Sequence, residues 1–134
     1  MPPSWSPASG DSSGTAMMRA RAIVHIVEPQ DLFVPTLIDV FAEAGLPVDR
    51  VDDDIHPQIL LEEQPDVLFI DADYLADPLR ATRLAHVLVP EATIFVYGGA
   101  SGRGPREAYI AAGATVVLEK SAQRALIVEA LRTR

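Results

Sequence analysis

The chain has 134 residues, of which 49% are apolar and 22% are charged, and it contains no cysteine. A single domain with a buried core is the expectation for this length. The missing cysteines exclude disulfides, thiolate metal sites and cysteine nucleophiles, and they fit a reducing, cytoplasmic location. No apolar run approaches the roughly 20 residues of a membrane span, so we expect no membrane association.

The formal net charge is −8, and it is divided unevenly along the chain. Residues 22–77 carry fourteen acids against the single base Arg50, whereas residues 78–134 carry eight bases against four acids. The acidic half would repel phosphates, which argues against direct nucleic-acid binding. The division indicates either two solvated surfaces of opposite sign, or an acidic pocket and a basic partner face. Lys120 is the only lysine, because all other basic residues are arginines.

The first 20 residues are rich in Pro, Ser and Gly, a composition that predicts a disordered tail over residues 1–20. They lack the basic start and the apolar stretch of a secretory signal. The alternative is that translation starts at Met17 or Met18, in which case most of this segment does not belong to the protein.

From residue 22 onward, short apolar runs alternate with segments of helical periodicity. The apolar runs predict strands over residues 22–27, 47–51, 66–71, 93–97 and 115–119. The periodic segments predict helices over residues 31–44, 54–63, 77–88 and 105–112, and a final helix after residue 121. Predicted N-caps are Asp54, Asp77 and Ser121, and Gly45 and Gly113 are expected to end helices.

Five strands that alternate with five helices predict an α/β fold, in which a parallel sheet has helices on both faces. Such sheets place functional groups outside the carboxyl ends of their strands. The candidate site residues in strand order are Glu28 and Pro29, Asp52–Asp54, Asp71 and Asp73, Gly98 and Gly99, and Lys120. We interpret residues 52–54 as a solvated turn, because three consecutive acids cannot all point into one site.

An acid after the first strand, an aspartate ending the third and a lysine after the fifth form a specific combination. Together with PDVLFID at 65–71 and GATVVLEKSA at 113–122, this combination resembles the receiver domain of response regulators, the CheY-like family. The resemblance covers residues 22–133 and identifies residues 21–134 as an atypical receiver domain. It implies a three-layer, flavodoxin-like fold with strand order 2-1-3-4-5.

In that family the aspartate that ends the third strand accepts a phosphoryl group, so the resemblance makes Asp71 the candidate phosphoacceptor. The family's lysine pairs first with this aspartate and then with the phosphate, a role that falls to Lys120. Two acids after the first strand hold Mg²⁺ in the family. Glu28 matches the first acid and Pro29 replaces the second, which leaves Glu28, Asp71 and Asp73 as a weakened Mg²⁺ set.

Two further positions depart from the family pattern. A small hydroxyl residue after the fourth strand bonds the phosphate in the family, but this chain has Gly98 there, or Tyr97 if the alignment shifts by one residue. Ser101 would supply a hydroxyl only if the loop folded back. The switch aromatic of the last strand is replaced by Val117.

These matches predict a stand-alone receiver in phosphorelay, or two-component, signal transduction, which accepts phosphoryl groups from a histidine kinase or a phosphotransfer protein. The chain ends directly after the fifth predicted helix, so we expect no attached output domain. The departures favour an alternative, a pseudo-receiver that binds proteins or dimerises without phosphorylation. A small-ligand domain on the same fold is a third alternative. We expect no enzymatic activity.

Basic residues cluster on the last two predicted helices and their loops, among them Arg103, Arg106 and Arg124. The family commonly uses the face of the fourth helix, fifth strand and fifth helix for dimers and partners. The resemblance therefore implies that an acidic partner, or a second copy of the chain in a homodimer, docks at these arginines. The alternative is that each of them is a solvated surface residue.

Overall fold

The computed structural model describes residues 21–134, which form one five-stranded parallel sheet flanked by helices. The strands are β1 (Val24–Val27), β2 (Arg50–Asp52), β3 (Val67–Asp71), β4 (Thr93–Tyr97) and β5 (Val116–Leu118). The helices are α1 (Val34–Glu43), α2 (Pro57–Glu63), α3 (Pro78–Leu88), α4 (Arg103–Ala112) and α5 (Arg124–Arg132). The predicted tail and the alternative starts at Met17 and Met18 lie outside the described residues. Within residues 21–134, no helix is long and apolar enough to cross a membrane.

The strand order is β2-β1-β3-β4-β5 and all neighbouring strands are parallel, which confirms the predicted order. β4 has the predicted bounds, whereas β2 begins at Arg50 rather than at Pro47. Proline has no N–H to donate to a ladder, so pairing starts beyond it. Because all strands run in one direction, their carboxyl ends share one edge of the sheet, and the candidate site residues meet there.

The sheet separates two apolar layers, because alternate residues of a strand point to opposite faces. Phe69 packs with α1 and α5, and its ring meets the Phe41 ring edge-on at a centroid distance of 5.2 Å. Leu68 and Ile70 pack with α2, α3 and α4 on the other face. All five residues of β3 are buried, which explains the unbroken apolar run before Asp71. Because this buried central strand ends at Asp71, the Asp71 carboxylate lies buried at the middle of the sheet edge.

Two helix ends follow the sequence signals. Asp77 caps α3, since its Oδ1 atom accepts a hydrogen bond from the Arg80 N–H at 3.1 Å. α1 ends in a Schellman turn, in which Gly45 has a φ of +79° and the Leu46 N–H donates to the Phe41 carbonyl at 2.9 Å. This turn fixes the direction of the chain into β2.

The predicted N-caps Asp54 and Ser121 are wrong, because a stretch of loop separates each of them from its helix. The residues that directly precede α2 and α5 are His56 and Gln123, and neither forms a side-chain cap. The Asp54 carboxylate accepts a hydrogen bond from the next N–H in the chain, at 2.7 Å. Ser121 lies in a turn closed by a backbone hydrogen bond across residues 119–122.

Gly113 offers a test of how closely α3 and α4 are packed. It follows α4 with a φ of +117°, and a Cβ atom there would lie 2.5 Å from the Cβ of His86. We expect Gly113→Ala to lower the free energy of unfolding by roughly 1–3 kcal/mol, measured by urea denaturation. The matched control is Gly104→Ala near the start of α4, where nothing lies within 4 Å. Equal stabilities of the two variants would contradict this packing.

Candidate functional site

The end of β3 places Asp71 at the middle of the sheet edge, with 0% of the residue exposed. Its Oδ2 atom accepts a hydrogen bond from Lys120 Nζ at 2.8 Å, and its Oδ1 atom accepts one from the Asp73 N–H at 3.1 Å. Lys120 comes just after β5, and pairing through β4 brings the ends of β3 and β5 to the same edge. The structure thus joins the two residues that the sequence singled out as a pair.

The Lys120 ammonium lies between two carboxylates and three aromatic rings, and its side chain is 30% exposed. Besides Asp71, it contacts Asp73 Oδ2 at 3.1 Å. The ring centroids lie 4.9 Å from Nζ for Tyr74, 5.0 Å for Tyr97 and 5.6 Å for Phe33, all within cation–π range. Burial by itself would lower the pKa of Lys120, but the hydrogen bonds to the two aspartates outweigh it and raise that pKa.

Glu28 follows β1 and is 2% exposed. Its Oε2 atom accepts a hydrogen bond from the Gln30 N–H at 3.0 Å, and its Oε1 atom has no hydrogen-bond partner among residues 21–134. Burial raises the pKa of Glu28 to about 7, and the neighbouring Asp71 carboxyl adds to the shift. A substantial share of Glu28 is therefore neutral near pH 7, and the neutral acid can donate a proton toward Asp71.

Asp73 connects the end of β3 to the loop after β4. Its Oδ1 atom accepts a hydrogen bond from the Gly99 N–H at 2.7 Å, while Oδ2 faces Lys120. Burial pushes the pKa of Asp73 up, but the hydrogen bonds from Gly99 and Lys120 prevail and lower it. Asp73, which the sequence placed among the metal ligands, is thus an ionised carboxylate that accepts hydrogen bonds from Lys120 and from the Gly99 N–H.

The switch position stays a prediction, and neither of its candidates, Gly98 and Tyr97, has a small hydroxyl side chain. Gly98 has a φ of +86°, and a Cβ atom there would lie 2.7 Å from Asp73 Oδ2. The Tyr97 ring packs against Phe69 at a centroid distance of 5.3 Å and faces Lys120 on its other side. Ser101 lines a cavity of about 220 Å³ beside this loop. Val117 is buried in the core layer formed by α2, α3 and α4.

The aromatic rings around Lys120 were not anticipated from the sequence. Phe33 and Tyr74 lie in the 3₁₀ turns Asp31–Phe33 and Ala72–Tyr74, a few residues beyond the ends of β1 and β3. Their rings contact one another at a centroid distance of 5.7 Å. The available signal was an aromatic residue shortly after each of two neighbouring strand ends. A cavity of about 180 Å³ under Phe33 extends to Glu28 and Lys120.

The residues present do not fit the Mg²⁺ ion that the family resemblance implies. Among residues 21–134, no three acidic, histidine or cysteine side chains are arranged to hold a metal ion. The oxygens of Asp71 and Asp73 accept hydrogen bonds from Lys120 and from backbone N–H groups, and Pro29 has no side-chain oxygen. Mg²⁺ requires several ionised or carbonyl oxygens in octahedral geometry, and these residues do not offer such a set.

The acids after β2 are paired apart from this site. Asp52 contacts Arg50 Nε at 2.8 Å, and Asp53 contacts His56 Nε2 at 3.1 Å. These ion pairs agree with a surface turn, the interpretation that the sequence favoured for residues 52–54.

The arginines of the predicted partner face are engaged within the protein. Arg103 pairs with Glu107 one turn further along α4, with Nε and Oε2 2.8 Å apart. Arg106 Nη1 donates to the Val117 carbonyl at 3.2 Å, which ties α4 to β5. Arg124 Nε donates to Glu43 at 2.9 Å and joins α5 to α1. Arg106 and Arg124 therefore brace helices, and the docking role of these residues stays a prediction.

No family model and no curated protein matches this sequence. Solved structures do match. A two-component response regulator of the LuxR family from Aurantimonas has a TM-score of 0.76 at 20% identity, over 84% of this chain and 83% of its own. A CheY-like receiver domain protein from Methanospirillum hungatei has a TM-score of 0.67 at 14% identity, over 84% and 91%. The receiver domain of a sensor histidine kinase from Pseudomonas aeruginosa, solved with magnesium in its active-site cleft, has a TM-score of 0.65 at 18% identity, over 84% and 95%.

The chain therefore has the fold of the response-regulator receiver domains, as its motifs indicated. At identities of 20% and below, these matches establish the architecture.

The buried Glu28 carboxyl makes stability depend on pH. Its pKa is about 7 in the folded protein and 4.5 in its ordinary state. Between these values the folded chain binds the proton more tightly than the unfolded chain, so this group's contribution to stability is present at low pH and is lost as pH rises through about 7. We expect Glu28→Gln to exceed the wild type in unfolding free energy by roughly 1–3 kcal/mol near pH 8, and by much less near pH 5.

Urea denaturation at both pH values measures the effect, and Glu91→Gln at an exposed position is the control. A stability difference between Glu28→Gln and the wild type that does not change with pH would contradict the assignment of a buried, titrating Glu28.

Proposed function

We propose that the chain is a receiver module of cytoplasmic two-component signalling that acts by binding a partner protein, without phosphorylation of Asp71 and without enzymatic turnover. One observation carries this proposal. Asp71 is fully buried, and both of its carboxylate oxygens already accept hydrogen bonds, from Lys120 and from the Asp73 N–H. Each oxygen keeps a further lone pair, but a nucleophile must be reached by the incoming phosphorus atom, and Asp71 has no exposed surface.

The chemistry around Asp71 supports the same conclusion. Phosphoryl transfer to a carboxylate brings negative oxygens together, and a divalent cation or several donors must neutralise them. Here Pro29 replaces an acidic ligand, Gly98 replaces a hydroxyl, and Glu28 is partly neutral near pH 7. Lys120 is the cation beside Asp71, and it is shared with Asp73.

A second candidate function is phosphorylation of Asp71 by a histidine kinase or a phosphotransfer protein. The contact of 2.8 Å between Lys120 Nζ and Asp71 Oδ2 favours it, because an ammonium next to the acceptor carboxylate can follow the charge onto a phosphoryl group. For this function, Asp73 would have to release Lys120 and a metal ion would have to enter.

The partner surface that we propose is the face of α4, β5 and α5. Ile110 on α4 and Leu126 on α5 are exposed apolar side chains, and Arg103 at the start of α4 adds positive charge. Exposed apolar residues beside basic ones suit an acidic partner protein or a second copy of the chain. Since the exposed Arg106 and Arg124 already form intramolecular hydrogen bonds, Ile110 and Leu126 are the better targets for mutation.

Labelling with radioactive acetyl phosphate and Mg²⁺ separates the two candidate functions. We expect the wild type to take up no more label than Asp71→Asn, because Asp71 is fully buried and Pro29 supplies no metal ligand. Asp71-dependent label in the wild type would contradict the proposal and support the phosphoacceptor role. Pro29→Asp, which restores an acid at the metal position, is the informative companion. Label on this variant alone would identify the missing ligand as the cause.

A further inference from the structure

Two hydrogen-bond donors converge beside Asp71, namely the Lys120 ammonium and the Gly99 backbone N–H. Both contact Asp73, with Lys120 Nζ 3.1 Å from Oδ2 and Gly99 N 2.7 Å from Oδ1. We call these two donors the anion seat. An ammonium combined with a backbone N–H is a donor set that suits carboxylates and phosphates, and in this structure a side chain of the protein itself occupies it.

The glycine before this seat makes room for the Asp73 carboxylate. A Cβ atom at Gly98 would lie 2.7 and 2.8 Å from the two Asp73 oxygens, closer than side chains pack, and the φ of +86° also favours glycine. The place where a hydroxyl side chain would project is therefore filled by the Asp73 carboxylate. The Asp73 carboxylate can occupy this place only because residue 98 has no side chain, although the two residues are far apart in sequence.

The backbone of Asp73 is fixed as well. Its N–H donates to Asp71 Oδ1 at 3.1 Å, within the 3₁₀ turn that follows β3. Its side chain reaches Lys120 after β5 and Gly99 after β4. One residue thus joins the ends of three adjacent strands, and it shares the Lys120 ammonium with Asp71.

We propose that the Asp73 carboxylate is the resident occupant of the anion seat, where it takes the place of a phosphoryl group and holds the loop after β4 against Lys120. The inference rests on the proposed function, since a receiver that is not phosphorylated needs another anion to fix this loop. An external oxyanion must displace Asp73 while close to the negative Asp71. The seat therefore accepts inorganic phosphate only when the charge of Asp73 is removed.

The first test is amide hydrogen exchange in the full chain, followed by NMR. We expect the Gly99 amide to exchange about tenfold faster in Asp73→Asn than in the wild type, because a charge-assisted hydrogen bond protects it. Asp53→Asn, the same substitution at an exposed aspartate, should leave the rate unchanged. Amides of β1 and β3 report whether each variant is folded. A Gly99 rate within twofold of the wild type in folded Asp73→Asn overturns the proposal.

The second test titrates inorganic phosphate into the wild type and Asp73→Ala while the Gly99 amide resonance is observed. We expect a saturable shift in Asp73→Ala and none in the wild type. The same response in both proteins, or no response in either, overturns the proposal. Neither test uses a partner or a phosphodonor. Asp71-dependent labelling of the wild type would therefore refute the proposed function, whereas an unchanged Gly99 amide would refute only the role of Asp73.

Discussion

The ion pair between Lys120 and Asp71 is the interaction on which the rest of the site depends. A carboxylate with 0% exposure is costly to bury unless a cation and hydrogen bonds accompany it. The core makes the burial unavoidable, because β3 is covered on both faces and ends at Asp71. The cation comes from β5, two strands away, and it reaches Asp71 only because both strands are parallel to β4 between them.

The balance of charge around Lys120 also accounts for the protonation of Glu28 and the contacts of Asp73. Glu28, Asp71 and Asp73 bring three carboxyl groups toward one ammonium, and this is an excess of negative charge in a half-buried place. Partial protonation of Glu28, whose pKa is raised to about 7, lowers this negative charge near neutral pH. Lys120 and the Gly99 N–H satisfy the other two carboxyl groups. A proton and hydrogen-bond donors of the protein itself can therefore compensate this charge.

Sequence reasoning succeeded where one strong local signal decides the outcome. The apolar run before Asp71 indicates a buried strand, and its alternation with helices indicates a parallel sheet. The resemblance to receiver domains then implies the strand order and the meeting of Asp71 with Lys120. Sequence reasoning failed where loop conformation decides. The Asp73 contact with Gly99 depends on the positive φ of Gly98, and Asp54 and Ser121 are separated from their helices by loop residues. Such contacts join positions that no periodicity relates.

The aromatic rings around Lys120 connect the Asp71 site to both the surface and the core. Phe33 and Tyr74 come from the turns after β1 and β3 and Tyr97 ends β4, so the Lys120 ammonium contacts rings from three parts of the chain. Phe33 and Tyr74 are partly exposed and lie beside the start of α1, whereas Tyr97 packs on Phe69 in the core. Lys120 therefore contacts the surface through the first two rings and the core through the third. The surface around Phe33 and Tyr74 touches the Lys120–Asp71 pair directly, whereas the loop after β4 meets Lys120 through Asp73.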